Sequence, residues 1–423
     1  MPVIIPRSGH PISRRMIDPS ALKVLYRLYR AGHVAYLVGG GVRDLLLGLS
    51  PKDFDVATDA HPARIRKLFR NCVLIGRRFR LAHVRFGSTI IETSTFRRAP
   101  DPEAEGEEGD DLLIRRDNTF GTPEDDARRR DFTVNALFYD IGTYSIIDHV
   151  GGMADVEDGC IRSIGDPEVR YQEDPVRMLR AVKFAARLDF EIVEEDLAAL
   201  KRRVDDISLA STPRLLEETY KFLRGSAAAP SFHMLHETGL LDRLLPEITG
   251  HLERSGATDD PENEAFYQYL FALDEEIGAG RTEGSNSLLL ATLLLAPINQ
   301  ALVEQGGDDA SCWTCPADEV EDAFEEVARP LFRRFGVARK DVDRLRGILL
   351  AQRRLLSRSR NRSGLERSSW LPDAVTVLGL QSRLEPDLED RHAAWQERLE
   401  EIGPIEPERR ERRRRRSRPR RRH

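Results

Sequence analysis

The sequence of 423 residues predicts an α+β protein in which a mixed head precedes a long helical region. Two patterns support this fold class. Within the first 150 residues, strand-like runs alternate with amphipathic helical stretches. From about residue 174 onward, apolar residues recur almost only at helical spacing. A group of strands followed by a group of helices is typical of α+β architectures.

The elements of the head begin at residue 21, after an N-terminal arm at 1–20 that contains prolines and little periodicity. Helices are predicted at 21–31, 42–47 and 62–69, and strands at 33–38, 53–57, 81–86 and 89–93. Gly87 and Ser88 separate the last two strands as the turn of a hairpin. We therefore expect the head to occupy residues 21–150.

The helical region is expected to consist of a neck at 151–225 and a body at 226–402. Its clearest helix is predicted at 175–188. The apolar stretch at 288–297 is too short to cross a bilayer, so we expect a core helix and no integral membrane segment. The N-terminus shows no secretory signal, and four cysteines exclude a disulfide scaffold. These features predict a cytoplasmic protein.

Charge is distributed unevenly along the chain. The net charge is −6, yet residues 409–423 hold eleven arginines and one glutamate, or +10, so the other 408 residues carry −16. We expect a disordered Arg-rich tail over 403–423 that reaches a polyanionic partner. Residues 101–111 contain seven acids and no aromatic side chain, which predicts a solvated loop.

The first candidate for chemistry is the D-x-D pair in the sequence KDFD. Asp53 and Asp55 are two residues apart on a predicted strand, so both side chains should point to the same face. Carboxylate oxygens gathered in this way suit Mg²⁺. A D-x-D pair alone is more often a solvated turn, and the motif upstream of it reverses that balance.

That upstream motif is GGGVRD at 39–44. Gly39 and Gly40 allow backbone N–H groups to approach a phosphate closely. Arg43 would clamp a phosphate oxygen. Together with the aspartates, the glycine turn predicts a site for a metal-bound nucleotide.

The second motif is ARRRDFTVN at 127–135. In a functional interpretation, Arg129 and Arg130 hold a triphosphate and Asp131 adds a third carboxylate. In a structural interpretation, the same residues begin a helix with charged caps. The nine residues alone favour neither interpretation.

The third motif is EDPVRMLRAVK at 173–183. Asp174 is a good N-cap, and a proline follows it at the first helical position. Arg177, Arg180 and Lys183 recur every three residues and form a cationic stripe. Asp174 and Arg177 could also hydrogen-bond the edge of a nucleobase. On these residues alone, the cap and surface interpretation is favoured.

These motifs resemble those of the class II nucleotidyltransferases, which include bacterial poly(A) polymerases and tRNA CCA-adding enzymes. The resemblance covers roughly residues 7–225 and five ordered motifs. The motifs are the glycine turn, D-x-D, RRDFTVNAL at 129–137, DGCIR at 158–162 and EDPVRMLRAVKFAARL at 173–188. The segment NCVLIGRRFRLAHV at 71–84, the opening PRSGHPISRR and the Arg-rich C-terminus resemble the poly(A) polymerase branch. One departure is Lys183, where many relatives have arginine.

The resemblance implies a nucleotidyltransferase head with a small mixed sheet, followed by a helical neck that binds nucleotide and RNA and a body that binds RNA. It implies transfer of AMP from ATP to RNA 3′ ends by two-metal phosphoryl transfer, with release of pyrophosphate. Mg²⁺ is expected on Asp53 and Asp55, with Glu92 as a further candidate ligand. Asp131 is the third expected catalytic residue. The expected nucleotide-binding residues are Gly39, Gly40, Arg43, Arg129, Arg130, Asp174, Arg177 and Arg180.

The expected partners are ATP, RNA 3′ ends and RNA-decay proteins. Two alternatives stay open at this point. A tRNA CCA-adding enzyme would use CTP as well as ATP and stop after three additions. A catalytically inactive RNA-binding protein is disfavoured by the intact D-x-D pair, which a binding module does not need.

Three further features have weaker interpretations. Cys312 and Cys315 resemble half of a zinc site, but no paired histidines accompany them, so we expect a structural role. His83 is expected to be a core histidine or to line the site. The segment 340–367, with nine basic and three acidic residues, is expected to form part of an RNA path.

Overall fold

The computed structural model describes residues 1–76, 81–98, 119–256, 263–307, 310–357 and 363–403. The chain divides into two compact units. The first contains Met1–Ala210 and Glu237–Arg243, and the second contains Ser211–His236 and the chain from Leu244 onward. The acidic segment 101–111 and the arginines of the tail lie outside the described residues, as do parts of the segments 71–84 and 340–367.

The first unit is built around a mixed sheet of eight strands with the order β1-β8-β7-β2-β3-β6-β5-β4. The strands are β1 Val3–Ile5, β2 Ala35–Val38, β3 Asp55–Thr58, β4 Cys72–Ile75, β5 Leu81–Phe86, β6 Thr89–Thr95, β7 Leu137–Asp140 and β8 Ile146–Asp148. Strand β3 runs parallel to β6, and the other neighbours in the sheet are antiparallel. The predicted α+β class and mixed sheet are confirmed.

Register in this sheet places three polar residues side by side. Val56 pairs with Thr93 in the parallel ladder, so Asp55 lies beside Glu92 one step earlier. Glu92 is in turn the antiparallel partner of His83 on β5. Because side chains alternate between the faces of a sheet, these three form one row across β3, β6 and β5.

The helices of the first unit cover both faces of the sheet and continue into the neck. They are α1 Pro19–Arg30, α2 Gly40–Leu46, α3 Pro62–Leu68, α4 Pro123–Arg128, α5 Gly152–Glu157, α6 Pro167–Glu173, α7 Val176–Leu188 and α8 Glu194–Arg203. Two short strands, β9 Cys160–Ile161 and β10 Glu191–Ile192, pair in parallel within this mainly helical stretch.

Helix α1 shows how sequence produces one of these elements. The Asp18 carboxylate accepts the N–H groups of Ser20 and Ala21, at 2.6 and 3.3 Å, and Pro19 occupies the first helical position. Val24 and Leu28 are fully buried on its apolar face. The predicted helix at 21–31 is therefore confirmed, with a start two residues earlier.

The prediction that Asp53 lies on a strand is wrong. Strand β3 begins at Asp55, which pairs with Val38 at the end of β2. The backbone before it turns away from the ladder and packs against the start of α2. A Cβ added to Gly41 would lie 3.2 Å from the Asp53 carbonyl oxygen. Asp53 therefore approaches Asp55 along a connecting segment and not through strand alternation.

The second unit is helical throughout its described residues. Its helices are α9 Thr212–Leu223, α10 Ala228–Glu237, α12 Pro246–Ser255, α13 Ala265–Gly278, α14 Asn286–Gly306, α15 Ala317–Phe335, α16 Arg339–Leu356, α17 Ser363–Glu366, α18 Leu371–Ser382 and α19 Glu389–Ile402, and α10 ends at a residue of the first unit. Helix α11, Leu240–Leu244, lies in the first unit except for its last residue.

Helix α14 is the centre of this unit and packs against α12, α13, α15, α16 and α18. It is longer than the apolar stretch 288–297, so the prediction that this segment is too short to cross a bilayer is wrong; among the described residues it is the one helix long and apolar enough to do so. However, 78% of its apolar window is buried inside the protein. Such burial is typical of the core helix of a soluble protein. Cys312 and Cys315 are also buried here as free thiols, and burial raises the pKa of Cys312 to about 12.

Candidate active site

The glycine turn connects β2 to α2, and its conformation requires residues without a Cβ. Gly39 has a φ of 75°, a conformation that other residues adopt with strain. A Cβ on Gly39 would also lie 3.0 Å from Nη1 of Arg130. Gly41 similarly allows the Asp53 backbone to come close. The turn therefore brings the start of α2, one arginine and the D-x-D segment together.

An apolar cluster shares the sheet face of Asp55. It contains Val38, Ala57, Phe96 and Phe138, with Ala127 of α4 packed onto them. Asp55 lies at the edge of this cluster, and burial is the largest cause that raises the pKa of its carboxyl, to about 6. The sequence therefore places a carboxylate where water only partly solvates it.

Neighbouring carboxylates add to this effect. The charge of Glu92 is the second cause of the raised pKa of Asp55, and the charge of Asp53 adds to it, while Arg130 opposes them. The side chain of Glu92 is 49% exposed, and its Oε1 lies 3.3 Å from Nε2 of His83. Asp53, Asp55 and Glu92 therefore form one under-compensated group of negative charges.

This group fits a divalent cation in its chemistry. It offers hard carboxylate oxygens, which Mg²⁺ prefers, and a cation would offset the mutual repulsion of the three charges. Within the described ranges, no three His, Cys, Asp or Glu side chains are already gathered closely enough to form a ready-made metal site. The carboxylates are thus close enough to affect one another's pKa, but their oxygens do not yet surround a common point.

Asp131 lies in a different electrostatic environment. Its Oδ1 accepts the Phe132 N–H at 2.9 Å and Nδ2 of Asn135 at 3.2 Å, and its Oδ2 accepts Nε of Arg180 at 2.6 Å. Burial raises the pKa of Asp131, but the charge and hydrogen bond of Arg180 and the other two donors outweigh burial and lower it to about 2. Asp131 is therefore a stable anion with protein partners on both oxygens.

The turn that carries Asn135 is fixed from the neck. Its Thr133 donates its hydroxyl to Asp155 at 2.6 Å. A Cβ on Gly152 would lie 2.2 Å from the Thr133 carbonyl oxygen, so only glycine allows α5 to pack here. Asp148 accepts four backbone N–H groups at the start of α5, between 2.9 and 3.1 Å. Asn135 is thereby held below the glycine turn.

Arg43 is buried beneath that turn, with 1% of its surface exposed. Its Nε and Nη2 donate to the Asp44 carboxylate at 3.0 and 2.6 Å, and its Nη1 donates to Asn135. Arg187 donates to the other oxygen of Asp44 at 2.8 Å. The described partners of Arg43 belong to the protein, and the predicted phosphate contact stays a prediction.

Arg129 and Arg130 share one acceptor, the buried Asp126 of α4. Arg130 donates to Asp126 through Nη2 at 3.0 Å and to the Asn135 carbonyl at 3.2 Å, and Arg129 lies 3.4 Å from the other Asp126 oxygen. Arg170 of α6 donates to the carbonyls of both arginines, at 3.0 and 2.6 Å. The neck thus fixes the backbone of the motif at 127–135.

The third motif lies at the junction of α6 and α7. Oδ1 of Asp174 accepts the Val176 N–H at 3.3 Å, so Asp174 contacts the first residue of α7. Arg177 is only 7% exposed and donates to Glu173 and to the Arg170 carbonyl, both at 3.0 Å. The N-cap residue of α7 is Pro175, which has no side-chain cap bond, so the prediction that Asp174 is the N-cap and the proline the first helical residue is wrong by one position. The base-reading role of Asp174 and Arg177 stays a prediction.

The predicted cationic stripe divides between two sets of partners. Arg177 points to Glu173, whereas Arg180 points to Asp131 and also lies over Phe184. Lys183 and Arg43 also lie over Phe184, and the three cations are 5.1 to 5.2 Å from the ring centre. This half-buried ring connects α2 with α7.

Sequence reasoning did not single out Asn135, Asp126 or Phe184. Asn135 ends the motif RRDFTVN and lies four residues after Asp131, so the motif itself contained a signal. Asp126 of α4 lies four residues before Arg130, which follows the end of that helix, and this i, i+4 spacing is typical of an ion pair. Phe184 belongs to a stretch whose pattern predicts only a helical core, and no neighbouring residue indicates that it contacts three cations.

Comparison with known proteins follows the same division of the chain. The family model for the poly A polymerase head domain matches residues 35–162, and the model for a probable RNA and SrmB-binding site of polymerase A matches residues 189–252. Over 412 residues the chain is 39% identical to poly(A) polymerase I of Salmonella typhi, which covers 95% of this chain and 87% of that protein.

CCA-adding enzymes are also similar to the chain. The enzyme of Bacillus pumilus is 35% identical over 260 residues, which is 61% of this chain and 62% of that protein. The crystal structure of the Bacillus stearothermophilus CCA-adding enzyme in complex with CTP has a TM-score of 0.64 at 24% identity and covers 91% of this chain and 83% of that chain. That structural match shows a shared fold.

Proposed function

This chain belongs to the bacterial poly(A) polymerase family, and we infer that it is a polynucleotide adenylyltransferase, which transfers AMP from ATP to the 3′ end of RNA. One observation in the structure carries this function. A group of under-compensated carboxylates, Asp53, Asp55 and Glu92, lies beside the glycine turn at 39–41. Nucleotidyl transfer needs such a group beside a backbone that can approach phosphates.

The reaction joins the RNA 3′-oxygen to the α-phosphorus of ATP. The bond from the α-phosphorus to the bridging oxygen breaks, pyrophosphate leaves, and the hydroxyl proton is lost to solvent. Asp53, Asp55 and Glu92 would hold Mg²⁺, which when bound neutralises triphosphate charge and favours the ionised 3′-hydroxyl. The chain's own task is to hold nucleotide and RNA in line.

Gly39 and Gly40 have no side chains, which leaves room for a phosphate. A side chain at Gly39 would fill the space beside Arg130. Arg130 is near enough to Asp55 to lower its pKa, so a triphosphate that Mg²⁺ links to the carboxylates would also meet this cation. Arg129 lies on the same turn. These contacts support the predicted nucleotide-binding roles of Gly39 and Arg130, and we propose the same role for Gly40 and Arg129 beside them.

For Asp131 we propose a positioning role in place of direct participation. Both of its oxygens accept hydrogen bonds from the protein, and its main partner is Arg180. Its low pKa keeps it ionised at every physiological pH. It would thus hold Arg180, with Lys183 and Phe184, in the orientation that a nucleotide meets.

The alternative function is CCA addition, and the extent of sequence similarity favours poly(A) synthesis over it. The poly(A) polymerase relative matches 95% of the chain, whereas the CCA-adding relative matches 61%. We also propose that the enzyme acts in the cytoplasm, that its neck and body bind the RNA, and that RNA-decay proteins are its partners.

The test is incubation of the full chain with an unstructured RNA, Mg²⁺ and either ATP or CTP. Long A tails and no CTP incorporation are expected, and the Asp53→Asn variant serves as the inactive control. Addition of only three nucleotides, restricted to tRNA that lacks its CCA end, would instead identify a CCA-adding enzyme.

A further inference from the structure

A groove lies on the head along helix α1, apart from the candidate active site. It encloses about 550 Å³ and is lined mainly by aromatic and basic side chains. These include Lys23, Tyr26, Arg27 and Arg30 from α1, with Phe69 after α3 and Phe86 at the end of β5. Among the described residues that line it, none is acidic.

Each cation in the groove is paired with a ring. Nζ of Lys23 is 5.8 Å from the centre of Phe86, and Cζ of Arg27 is 5.2 Å from that of Phe69. Cζ of Arg30 is 5.9 Å from the centre of Tyr26. All three cations are exposed, whereas the rings are half-buried or buried. The rings therefore orient the cations toward solvent without neutralising them.

This groove is separate from the candidate active site. Along β5, Phe86 faces α1, because its ring centre lies 5.8 Å from Nζ of Lys23, and strand alternation places the buried Ala82 and Val84 on that same face. His83 points to the opposite face, in the row with Glu92. The groove and the catalytic carboxylates thus lie on opposite faces of the sheet.

We propose that this groove binds single-stranded RNA, at nucleotides upstream of the 3′ end that enters the active site. The first and last of these cations are seven residues apart on one helix, a distance of about 10 Å along its axis, which suits successive backbone phosphates. Tyr26, Phe86 and the guanidinium planes of Arg27 and Arg30 offer flat surfaces on which bases stack.

The composition of the groove favours RNA over an acidic peptide. A peptide carboxylate would engage the cations but would gain nothing from three adjacent rings, whereas every nucleotide presents both a charge and a flat base. The proposal rests on the proposed function, because it takes RNA as the substrate. It adds that a long RNA contacts the head at two places and a short primer at only one.

The test replaces the three cations together, as Lys23→Gln, Arg27→Gln and Arg30→Gln. The matched control is the triple variant Arg64→Gln, Arg66→Gln and Lys67→Gln, since these exposed residues of α3 remove equal charge and do not line the groove. RNA affinity is measured at several salt concentrations, with primers of about 5 and about 40 nucleotides. Melting curves check that both proteins fold.

The groove variant should lose about tenfold or more of its affinity for the long RNA, and its salt slope should fall by about 2, since each phosphate contact contributes about 0.7. Binding and adenylylation of the short primer should stay at the wild-type level. The variant Tyr26→Ala, which keeps the charges, should also lose several-fold in affinity for the long RNA alone.

Two results would overturn the proposal. One is equal behaviour of the groove and control triples toward the long RNA, and the other is a Tyr26→Ala variant with wild-type affinity. The first result would leave an acidic protein as the occupant to test. Failure of the proposed function looks different, because then even the wild type would add no AMP to either primer.

Discussion

Two carboxylates of the head, both expected from the sequence to be catalytic, have opposite electrostatic environments. Asp55 at the start of β3 is half-buried beside other carboxylates, and this partial burial and their charge raise its pKa to about 6. Asp131 is also buried, yet Arg180, Asn135 and a backbone N–H lower its pKa to about 2. Asp55 needs an additional cation, and Asp131 already has one. The comparison separates a group ready to bind from a group that positions another.

The largest expected effect is on catalysis by the first group. Asp53→Asn or Asp55→Asn should reduce AMP incorporation by about a hundredfold or more, because each removes a charged ligand that the reaction needs. Thermal stability should be unchanged or higher, since Asp55→Asn also removes repulsion. Asp59→Asn is the matched control, because this exposed carboxylate pairs with His33 at 3.0 Å outside the group.

Primer extension with ATP measures this prediction, and a melting curve accompanies it. If either variant kept more than about a tenth of wild-type activity, the assignment of the carboxylate group as the catalytic centre would be wrong.

The second prediction concerns the other carboxylate, Asp131. Asp131→Asn should lower the free energy of unfolding by about 2 kcal/mol, because it leaves a partly buried Arg180 without its ionised partner. The main kinetic effect should be a higher KM for ATP, with a smaller change in kcat, as expected for positioning. Denaturant titration and steady-state kinetics measure the two effects.

A double-mutant cycle with Arg180→Gln sharpens this result. The two residues should show a coupling of about 1 to 2 kcal/mol in stability. Additive effects, or a kcat loss as large as that of Asp55→Asn, would instead return Asp131 to the catalytic group.

The third prediction uses pH. Asp55 has a folded pKa above its ordinary value of 3.8, so the folded protein retains this proton longer than the unfolded chain. Without metal, the wild type should therefore lose stability relative to Asp55→Asn as pH rises from about 4 to about 6. Asp131 has a lowered pKa, so its contribution is present above about 4 and is lost as pH falls toward about 2.

Unfolding free energies across this pH range, compared with Asp55→Asn and Asp131→Asn, test both signs. Mg²⁺ at neutral pH should raise the melting temperature of the wild type and have little effect on Asp55→Asn. An equal Mg²⁺ effect on both proteins would place the metal elsewhere.

The smallest expected effect concerns Asp174, for which a purely local contact at the start of α7 competes with base recognition. Asp174→Ala should cost about 1 kcal/mol of stability, because the Val176 N–H loses its acceptor. If Asp174 also reads the base, the preference for ATP over the other nucleotides should decrease. Incorporation of each of the four nucleotides by the variant separates the two roles. An unchanged nucleotide preference would leave Asp174 with only its local contact to Val176.

Local patterns predicted much of the head correctly. The hairpin of β5 and β6 follows from Gly87 and Ser88 between two strand-like runs, and α1 follows from its apolar spacing. Such elements depend on neighbours in sequence, which a single chain displays. The D-x-D pair was recognised by the same means, but its strand was misplaced by two residues. Gly41 draws the Asp53 backbone toward α2, and that contact is tertiary.

The sequence by itself determined the order of strands and helices, the glycine turn and the identity of the charged residues near it. Only the tertiary structure decided which charges meet. Arg43 donates to Asn135, which lies 92 residues later in the chain, and Arg180 donates to Asp131, which lies 49 residues earlier. Charge interactions depend on distance and burial, and here both depend on sheet register and on the packing of the neck. The parallel pairing of β3 with β6 places Glu92 beside Asp55, and this pairing brings the carboxylates close enough to form a candidate metal site.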